Sequence, residues 1–187
     1  MKKVIILLLI VLAVIAGIFY FSRGYFASDA QTDTLKSFAS WKLYDSKLTM
    51  GLTLKYPADW TVDDSFPDFV SFMPANGNGF GSSRIKTSDK KQTLAKWMKV
   101  RDKENSEAMG GQYKDKIIST KKIKVAKVSA VKRVEYADAA GFNHILTYLK
   151  KGNYFYIFGL QIGSSGSYSS KDEKVYDKIL STVQFTK

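Results

Sequence analysis

The hydrophobic pattern begins with an unbroken apolar run that starts at Val4, ends at Phe21 and contains no charged residue. As an α-helix this run would extend about 27 Å, close to the hydrocarbon core of a bilayer, which is about 30 Å thick. Lys2 and Lys3 precede the run, and positive charge before a span favours a cytoplasmic N-terminus. We therefore predict a single-pass anchor over residues 1–24 and a linker over residues 25–40, with the following domain on the extracytoplasmic side of the cell membrane.

Cleavage of this run as a signal peptide, followed by secretion, is the alternative. A signal peptide has an apolar core of about 7–15 residues that ends in small residues flanking the cleavage position. The observed run is longer and ends in bulky aromatic residues, and the best cleavage candidate, residues 28–30, has an acid at its centre. We therefore predict that the anchor is retained. A lipid anchor is excluded because the chain has no cysteine to carry it.

Alternation of apolar and polar residues predicts β-strands in the rest of the chain. The clearest case is residues 48–56, where Leu52, Leu54 and Tyr56 share one face and Pro57 ends the strand. Residues 154–162 are apolar on both faces, which is typical of a central strand covered on both sides. Further strands are expected at residues 41–44, 69–72, 84–87, 117–125, 128–136, 142–150 and 183–185, with residues 76–81 as a turn-rich loop.

Two segments have the period of an amphipathic helix. Residues 93–107 begin with Thr93 as a candidate N-cap and place Leu94, Trp97 and Met98 on one stripe. A second helix is expected to begin at Ser170, with an apolar stripe made of Val175, Tyr176, Ile179 and Leu180. Helices on both faces would explain a two-sided central strand. The pattern therefore predicts an α+β fold, an α-β-α sandwich with a central antiparallel sheet.

The composition argues against a catalytic or metal site. The chain has no cysteine and one histidine, which disfavours zinc sites built from several cysteines or histidines. Asp63 and Asp64 lack the further ligands of a calcium loop. Gly77, Gly79 and Gly81 lack the lysine that follows in a phosphate-binding loop. We therefore predict neither enzymatic activity nor a cofactor nor a bound metal.

Two residues allow two interpretations each. His144 lies in a predicted strand with Leu146 and Tyr148 on its face, which favours a hydrogen-bonded structural histidine, with a ligand or a general base as the alternative. Trp60 follows the turn that begins at Pro57. We expect Trp60 to fill space in the core, with a place in the wall of a ligand pocket as the alternative.

Positive charge is concentrated in one part of the chain. The whole chain has a net charge of +12, and residues 84–133 contain 16 Lys and Arg against 5 Asp and Glu, a net of +11. Such a segment attracts membrane head groups, envelope polymers or an acidic protein, whereas nucleic acid is not an expected partner outside the membrane. Simple solvation is the alternative. The candidate residues for an anionic partner, expected on one side of the domain, are Lys96, Lys99 and Lys103 on the helix and Lys121, Lys122, Lys124 and Lys132 on neighbouring strands.

Residues 52–60, with the sequence LTLKYPADW, and residues 179–185, with the sequence ILSTVQF, resemble motifs of the PsbP family. This family comprises the extrinsic oxygen-evolving-complex subunit of photosystem II and many exported bacterial relatives. The resemblance extends over residues 41–187. It implies an antiparallel sheet between helices, no enzymatic activity, and a role in docking or assembly. The photosystem role is not carried over, because its binding residues lie outside the two motifs.

Together these features predict a membrane-tethered, extracytoplasmic, non-catalytic PsbP-like interaction or assembly domain, whose basic face binds an anionic partner. An extracytoplasmic domain that binds a small ligand or a polyanion is the alternative. An enclosed pocket with convergent polar groups would favour the small ligand. An open basic surface would favour the interaction domain.

Overall fold

A computed structural model describes residues 40–46, 50–75, 78–108, 115–137, 141–162 and 170–186 of the protein. Within these residues no helix is both long enough and apolar enough to cross a membrane. The predicted anchor over residues 1–24 lies outside the described residues, and so does all of the predicted linker except Ser40. The anchor therefore stays a prediction.

A seven-stranded antiparallel sheet, here called the larger sheet, forms most of the domain. Its strands are β3 (Thr61–Asp63), β4 (Phe69–Met73), β5 (Phe80–Lys86), β6 (Lys116–Val125), β7 (Val128–Ala137), β8 (Phe142–Lys151) and β9 (Tyr154–Ile162), in the spatial order β3-β4-β5-β9-β8-β7-β6. Strand β9 lies between β5 and β8, which confirms the interior strand predicted at residues 154–162. Strand β5 begins at Phe80, earlier than predicted.

Three other strands form a separate antiparallel sheet, here called the smaller sheet, so the fold does not have the single sheet that the pattern predicted. Its strands are β1 (Trp41–Ser46), β2 (Leu52–Pro57) and β10 (Gln184–Phe185), in the order β1-β2-β10. Strand β2 begins at Leu52 because the two residues before it form a turn. The N–H groups of Met50 and Gly51 both donate to the carbonyl oxygen of Ser46, at 3.0 and 2.8 Å.

The two predicted tight hairpins are present. Ala126 and Lys127 connect β6 to β7, and both have positive φ angles, 47° and 68°. Gly152 and Asn153 connect β8 to β9, and Gly152 has a φ of 59°. Two-residue hairpin loops favour positive φ because this twist matches that of the flanking strands. The first loop uses non-glycine residues for this conformation, which costs conformational energy that the second loop avoids.

Two helices contact opposite faces of the larger sheet. Helix α1 (Leu94–Ala108) is capped as predicted, since the Thr93 hydroxyl accepts a hydrogen bond from the Lys96 N–H at 3.2 Å. Its Trp97 ring stacks on Phe155 of β9 at 4.4 Å between centroids. Helix α2 (Ser170–Ser181) places Tyr176 on the other face, 2.6 Å from the Thr147 hydroxyl of β8. Below, these are the α1 face and the α2 face.

The main hydrophobic core lies between the α2 face, helix α2 and the smaller sheet. Phe72 joins the layers, with Tyr56 of the smaller sheet at 4.9 Å and Phe80 of the larger sheet at 5.9 Å between ring centroids. The Tyr156 hydroxyl donates to the carbonyl oxygen of Met50 at 3.0 Å and ties the two sheets together. Trp60 packs against this core and is half-buried. It therefore contributes to the core, as predicted, but lies at its edge.

Candidate functional site

The lysines of helix α1 lie where the sequence predicts. Lys96, Lys99 and Lys103 are exposed, because Trp97 and Met98 occupy the side of α1 that faces the sheet. Lys103 forms an ion pair with Glu107 one turn later, at 3.6 Å, with both side chains in solvent. Exposed pairs of this kind contribute little to stability. These three lysines are therefore available to a partner in solution.

The strand lysines do not all share one side. In an antiparallel pair, alternate residues point to opposite faces of the sheet. Lys121 pairs with Lys132, and Lys122 pairs with Val131. This register places Lys121 on the α2 face, whereas Lys122 and Lys124 point to the α1 face. The prediction that the four strand lysines open to one side is therefore wrong.

Lys132 is not a surface residue. It is 7% exposed, and its Nζ atom lies 2.8 Å from Oε1 of Glu173 and 2.5 Å from Oδ1 of Asp177, both on helix α2. The same Nζ atom lies 5.6 Å from the ring centroid of Tyr176. The period-two pattern of β7 already contained the signal, because Lys132 shares a face with the apolar residues Ala130 and Val134. Lys132 holds helix α2 on the sheet and is excluded from the predicted binding set.

An open groove lies beside the start of helix α1. It has a volume of about 560 Å³, and its lining includes Leu94, Lys122, Lys124 and Val131. The groove links α1 to the two lysines that point to the α1 face. It is not enclosed, as a small-ligand pocket usually is. Lys122 and Lys124 line this shallow, partly apolar groove, and Lys96, Lys99 and Lys103 are exposed on the helix that begins beside it. These five lysines are called the basic face below.

A polar network occupies the middle of the α1 face. Arg133 of β7 donates from Nη1 to both carboxylate oxygens of Asp102 on α1, at 3.0 and 2.9 Å. The same Nη1 atom lies 3.5 Å from Oε1 of Glu135. Arg101 of α1 donates to the Tyr148 hydroxyl of β8 at 2.9 Å. These contacts attach helix α1 to β7 and β8 through charge as well as through the Trp97 stack.

His144 completes this network. It pairs directly with Glu135 across β7 and β8, and its Nε2 atom lies 3.1 Å from Oε2 of Glu135. Glu135 is 4% exposed, so the contact is almost dry. The predicted hydrogen-bonded histidine is thus confirmed in its geometry. Asp115, which is exposed and precedes β6, brings a second carboxylate to the same place, because ligand atoms of Asp115, Glu135 and His144 all lie within 4.8 Å of one another.

The charges in the network shift the acidities of two carboxyl groups in opposite directions. Burial alone would raise the pKa of Glu135, but the hydrogen bond and charge of His144, together with Arg133, lower that pKa below its ordinary value. Partial desolvation of the Asp115 carboxyl group, beside Glu135 and His144, raises its pKa; repulsion from Glu135 adds to the increase, and attraction to His144 opposes it. Two carboxyl groups whose pKa values shift in opposite directions therefore lie beside one imidazole.

Sequence reasoning missed this group because its members come from separate elements. Glu135 and His144 belong to neighbouring strands, and Arg133 and Asp102 are 31 residues apart. A signal was available in β7, where Arg133 and Glu135 alternate with apolar residues and so share the face opposite the core. Asp63 serves a local turn, since its Oδ1 atom accepts hydrogen bonds from the N–H and hydroxyl of Ser65 at 3.1 and 2.6 Å. Oδ2 of Asp64 accepts a hydrogen bond from the Tyr44 hydroxyl of β1 at 3.3 Å.

Comparison with solved structures identifies the architecture. The solution structure of cyanobacterial PsbP from Synechocystis sp. PCC 6803 superimposes with a TM-score of 0.59 at 14% identity, over 83% of this chain and 98% of that chain. The domain has a PsbP-like fold. A crystal structure from Bacteroides thetaiotaomicron VPI-5482 matches this PsbP-like domain with a TM-score of 0.52 at 16% identity.

The second match covers 79% of this chain but only 49% of the Bacteroides chain, so the PsbP-like domain spans about half of that protein. No model of a protein family matches the sequence, and neither does any curated protein. At these identities the likeness establishes the fold, which agrees with the resemblance carried by residues 52–60 and 179–185.

Proposed function

We propose that the protein is a membrane-tethered, extracytoplasmic interaction or assembly domain, and that its basic face binds an anionic partner. The observation that supports this proposal is the arrangement of Lys96, Lys99, Lys103, Lys122 and Lys124 on one side of the larger sheet. Clustered positive charge raises the local concentration of an anionic partner and steers its approach. Lys121 and Lys132, which the sequence grouped with these residues, are not part of the proposed surface.

The shape of the surface supports binding over a broad area. The groove beside Leu94 is open, and its lining combines two lysines with apolar residues. Head groups of an anionic membrane or a charged envelope polymer fit such a surface better than a small ligand, which is usually enclosed on most sides. The small-ligand alternative is therefore the weaker of the two. The PsbP-like fold supports a non-catalytic role, as the resemblance implies.

Topology is the first test of the proposal. Protease added to intact cells should digest the domain from Thr34 onward, because the apolar run and its preceding lysines predict export. A cytoplasmic protein that the same protease digests only after lysis serves as the control. If the domain is digested only after lysis, the extracytoplasmic placement is wrong.

Binding is the second test. Residues 35–187 form a compact unit, so they can be produced without the apolar run. This unit should cosediment with vesicles of anionic lipid, or bind an anionic envelope polymer, at low salt, and the binding should weaken steeply as salt screens the charges. Each lysine near an anionic membrane contributes about 1 kcal/mol. Replacing Lys96, Lys99 and Lys103 together by Gln should therefore weaken vesicle binding by about two orders of magnitude.

A matched control separates the basic face from net charge. Lys42, Lys55 and Lys174 are exposed on the smaller sheet and on α2, away from the α1 face. Replacing these three by Gln removes the same charge and should leave most of the binding in place. Equal losses in the two triple variants would mean that only net charge matters. If the unit has no affinity for any polyanion at low salt, the lysines only interact with solvent and the proposed binding is wrong.

A further inference from the structure

We propose that Asp115, Glu135 and His144 form a binding site for a divalent first-row transition metal ion, with Zn²⁺ as the representative ion. The site uses one imidazole nitrogen and two carboxylate oxygens. It lies on the α1 face beside the polar network, and it does not depend on the anionic partner proposed above. The sequence argument against a metal site covered sites with several cysteines or histidines and calcium loops, and this donor set is neither.

The distances fit an ion held between two strands. Nε2 of His144 and Oε2 of Glu135 are 3.1 Å apart. Metal–ligand bonds of about 2.0–2.2 Å place neighbouring ligands about 3.0–3.5 Å apart in octahedral or tetrahedral geometry. The strand register fixes this pair, because the two residues lie directly opposite each other in β7 and β8. An ion would therefore enter where the two side chains already converge.

The third ligand lies within reach. All three ligand atoms are within 4.8 Å of one another, so Asp115 needs a displacement of at most about 1–2 Å to complete the site at ordinary bond lengths. Asp115 is exposed and precedes the first residue of β6, which allows this movement without repacking of the core. The exposed side of the site leaves further coordination positions for water.

Charge balance favours a cation at this point. Glu135 presents two oxygens, of which Oε1 faces Arg133 and Oε2 faces His144. Arg133 is already bound by Asp102, so its positive charge is largely offset. What remains between Asp115 and Glu135 is a pair of neighbouring carboxylates whose repulsion a divalent ion relieves. Arg101 contributes an opposing positive charge, which weakens the attraction of the two carboxylates for a cation.

The donor set selects a class of metal. Imidazole suits zinc, copper, nickel and iron, whereas Mg²⁺ and Ca²⁺ prefer oxygen ligands in larger numbers. No thiolate is present to recruit softer ions. Three protein ligands with open positions match the ligand count of zinc sites that retain water. Zn²⁺ should therefore bind more tightly than Ca²⁺.

The test is a metal titration of the full chain, purified without a histidine tag and stripped with EDTA. Isothermal titration calorimetry should show one Zn²⁺ per chain, and Co²⁺ should give the visible absorption of a site with a nitrogen ligand. Asp115→Asn and His144→Gln should each weaken Zn²⁺ binding by about tenfold or more, since even outer-shell changes cost about 10–100-fold. Asp115→Asn is the decisive variant, because an exposed residue is replaced without disturbing the fold.

Two controls keep the result interpretable. Asp63→Asn makes the same chemical change at an exposed carboxylate outside the cluster and should leave Zn²⁺ affinity unchanged. Circular dichroism of each variant checks that the fold is retained. Absence of saturable binding with one Zn²⁺ per chain overturns the proposal. So does Zn²⁺ binding that Asp115→Asn and His144→Gln leave unchanged, because the three residues would then form only an ion-pair network.

Discussion

The two faces of the larger sheet differ in what holds them to the rest of the domain. The α2 face is an aromatic core, in which Phe80 lies 6.2 Å from Phe158 and 5.8 Å from Tyr176 between ring centroids. On the α1 face, Trp97 stacks on Phe155 and contacts Tyr148 edge-on at 6.2 Å between ring centroids, beside a chain of charged groups. The first face is built mainly by apolar burial, which is the main favourable term in folding, with Lys132 as a buried charge at its side. The second face buries ion-paired charged groups as well as apolar ones.

This difference separates stability from recognition. Buried ion pairs often stabilise a fold less than apolar side chains of similar volume, because desolvation offsets the attraction between charges. The charges at Arg133, Glu135 and His144 therefore point to a role beyond folding. Both proposed activities, the basic face and the metal site, belong to the α1 face. The α2 face supplies the rigid support from which these groups are presented.

The largest expected effect comes from removing one ring of the core. Phe158 is 0% exposed, and Phe158→Ala should lower the free energy of unfolding by about 3–5 kcal/mol through the cavity left behind. Ile157, the preceding residue of β9, points to the α1 face and is half-buried. Ile157→Ala should cost only about 1–2 kcal/mol. Urea unfolding of both variants measures the contrast. Equal losses would show that the two faces stabilise the domain equally.

A buried hydroxyl on the α2 face gives the next largest effect. The Tyr176 hydroxyl is 2.6 Å from the Thr147 hydroxyl and 3.2 Å from the Phe158 carbonyl oxygen. Tyr176→Phe leaves these groups buried with fewer partners and should cost about 1–3 kcal/mol. Chemical denaturation at neutral pH measures this loss. A variant as stable as the unmodified protein would mean that the two partners find other hydrogen bonds.

The same residue makes the α2 face sensitive to alkali. Burial raises the pKa of Tyr176 well above its ordinary value, which is about 10 in an unfolded chain. The stability that Tyr176 contributes is therefore fully present below about pH 10. It is lost as the pH rises toward the pKa that Tyr176 has in the folded protein. Nζ of Lys132 lies 5.6 Å from the centroid of the ring, and the negative charge of Asp177 adds to the increase of the pKa. Unfolding free energies between pH 8 and 11 should fall more steeply for the unmodified protein than for Tyr176→Phe, and parallel curves would contradict this explanation.

A buried lysine gives an intermediate effect. Lys132 is enclosed, but its partners Glu173 and Asp177 keep 22% and 52% of their side-chain surface exposed. Lys132→Met should therefore cost about 1–2 kcal/mol, less than the loss expected when one partner of a fully buried pair is removed. Lys121→Met, at the paired position on β6, should change stability by less than about 0.5 kcal/mol. Equal effects in thermal unfolding would mean that Lys132 is not a structural residue.

Local patterns in the sequence predicted the elements well, and the errors concern long-range placement. The hairpins at Ala126-Lys127 and Gly152-Asn153, the cap at Thr93 and the interior strand β9 all follow from neighbouring residues. The separate smaller sheet does not, because β10 pairs with β2 across more than a hundred residues. The hydrophobic periodicity of a single segment contains no information about a strand partner so distant in the sequence.

The candidate site shows the same limit. The lysines of α1 could be placed from helical periodicity alone, whereas Lys121 and Lys132 required the register of two strands. The strand neighbours of His144 correctly predicted its hydrogen-bonded role. They could not identify Glu135 as its partner, because the two residues meet only when β7 and β8 pair. Charged residues on one face of a strand indicate an unusual surface. Their chemistry depends on what the neighbouring strand brings opposite them.

The smallest expected effect on stability comes from substitutions in the basic face. These substitutions test most directly whether the two faces of the larger sheet have different roles. Lys96, Lys99 and Lys103 are exposed on α1, and of the three, only Lys103 has an ion-pair partner among the described residues, a weak pair within the helix. Replacing all three by Gln should change the unfolding free energy by less than about 1 kcal/mol, because exposed pairs and surface substitutions each contribute only tenths of a kcal/mol. Vesicle binding by the same variant should fall strongly. A variant that loses stability and binding in parallel would show that these lysines support the fold, and the division between a structural face and a recognition face would then fail.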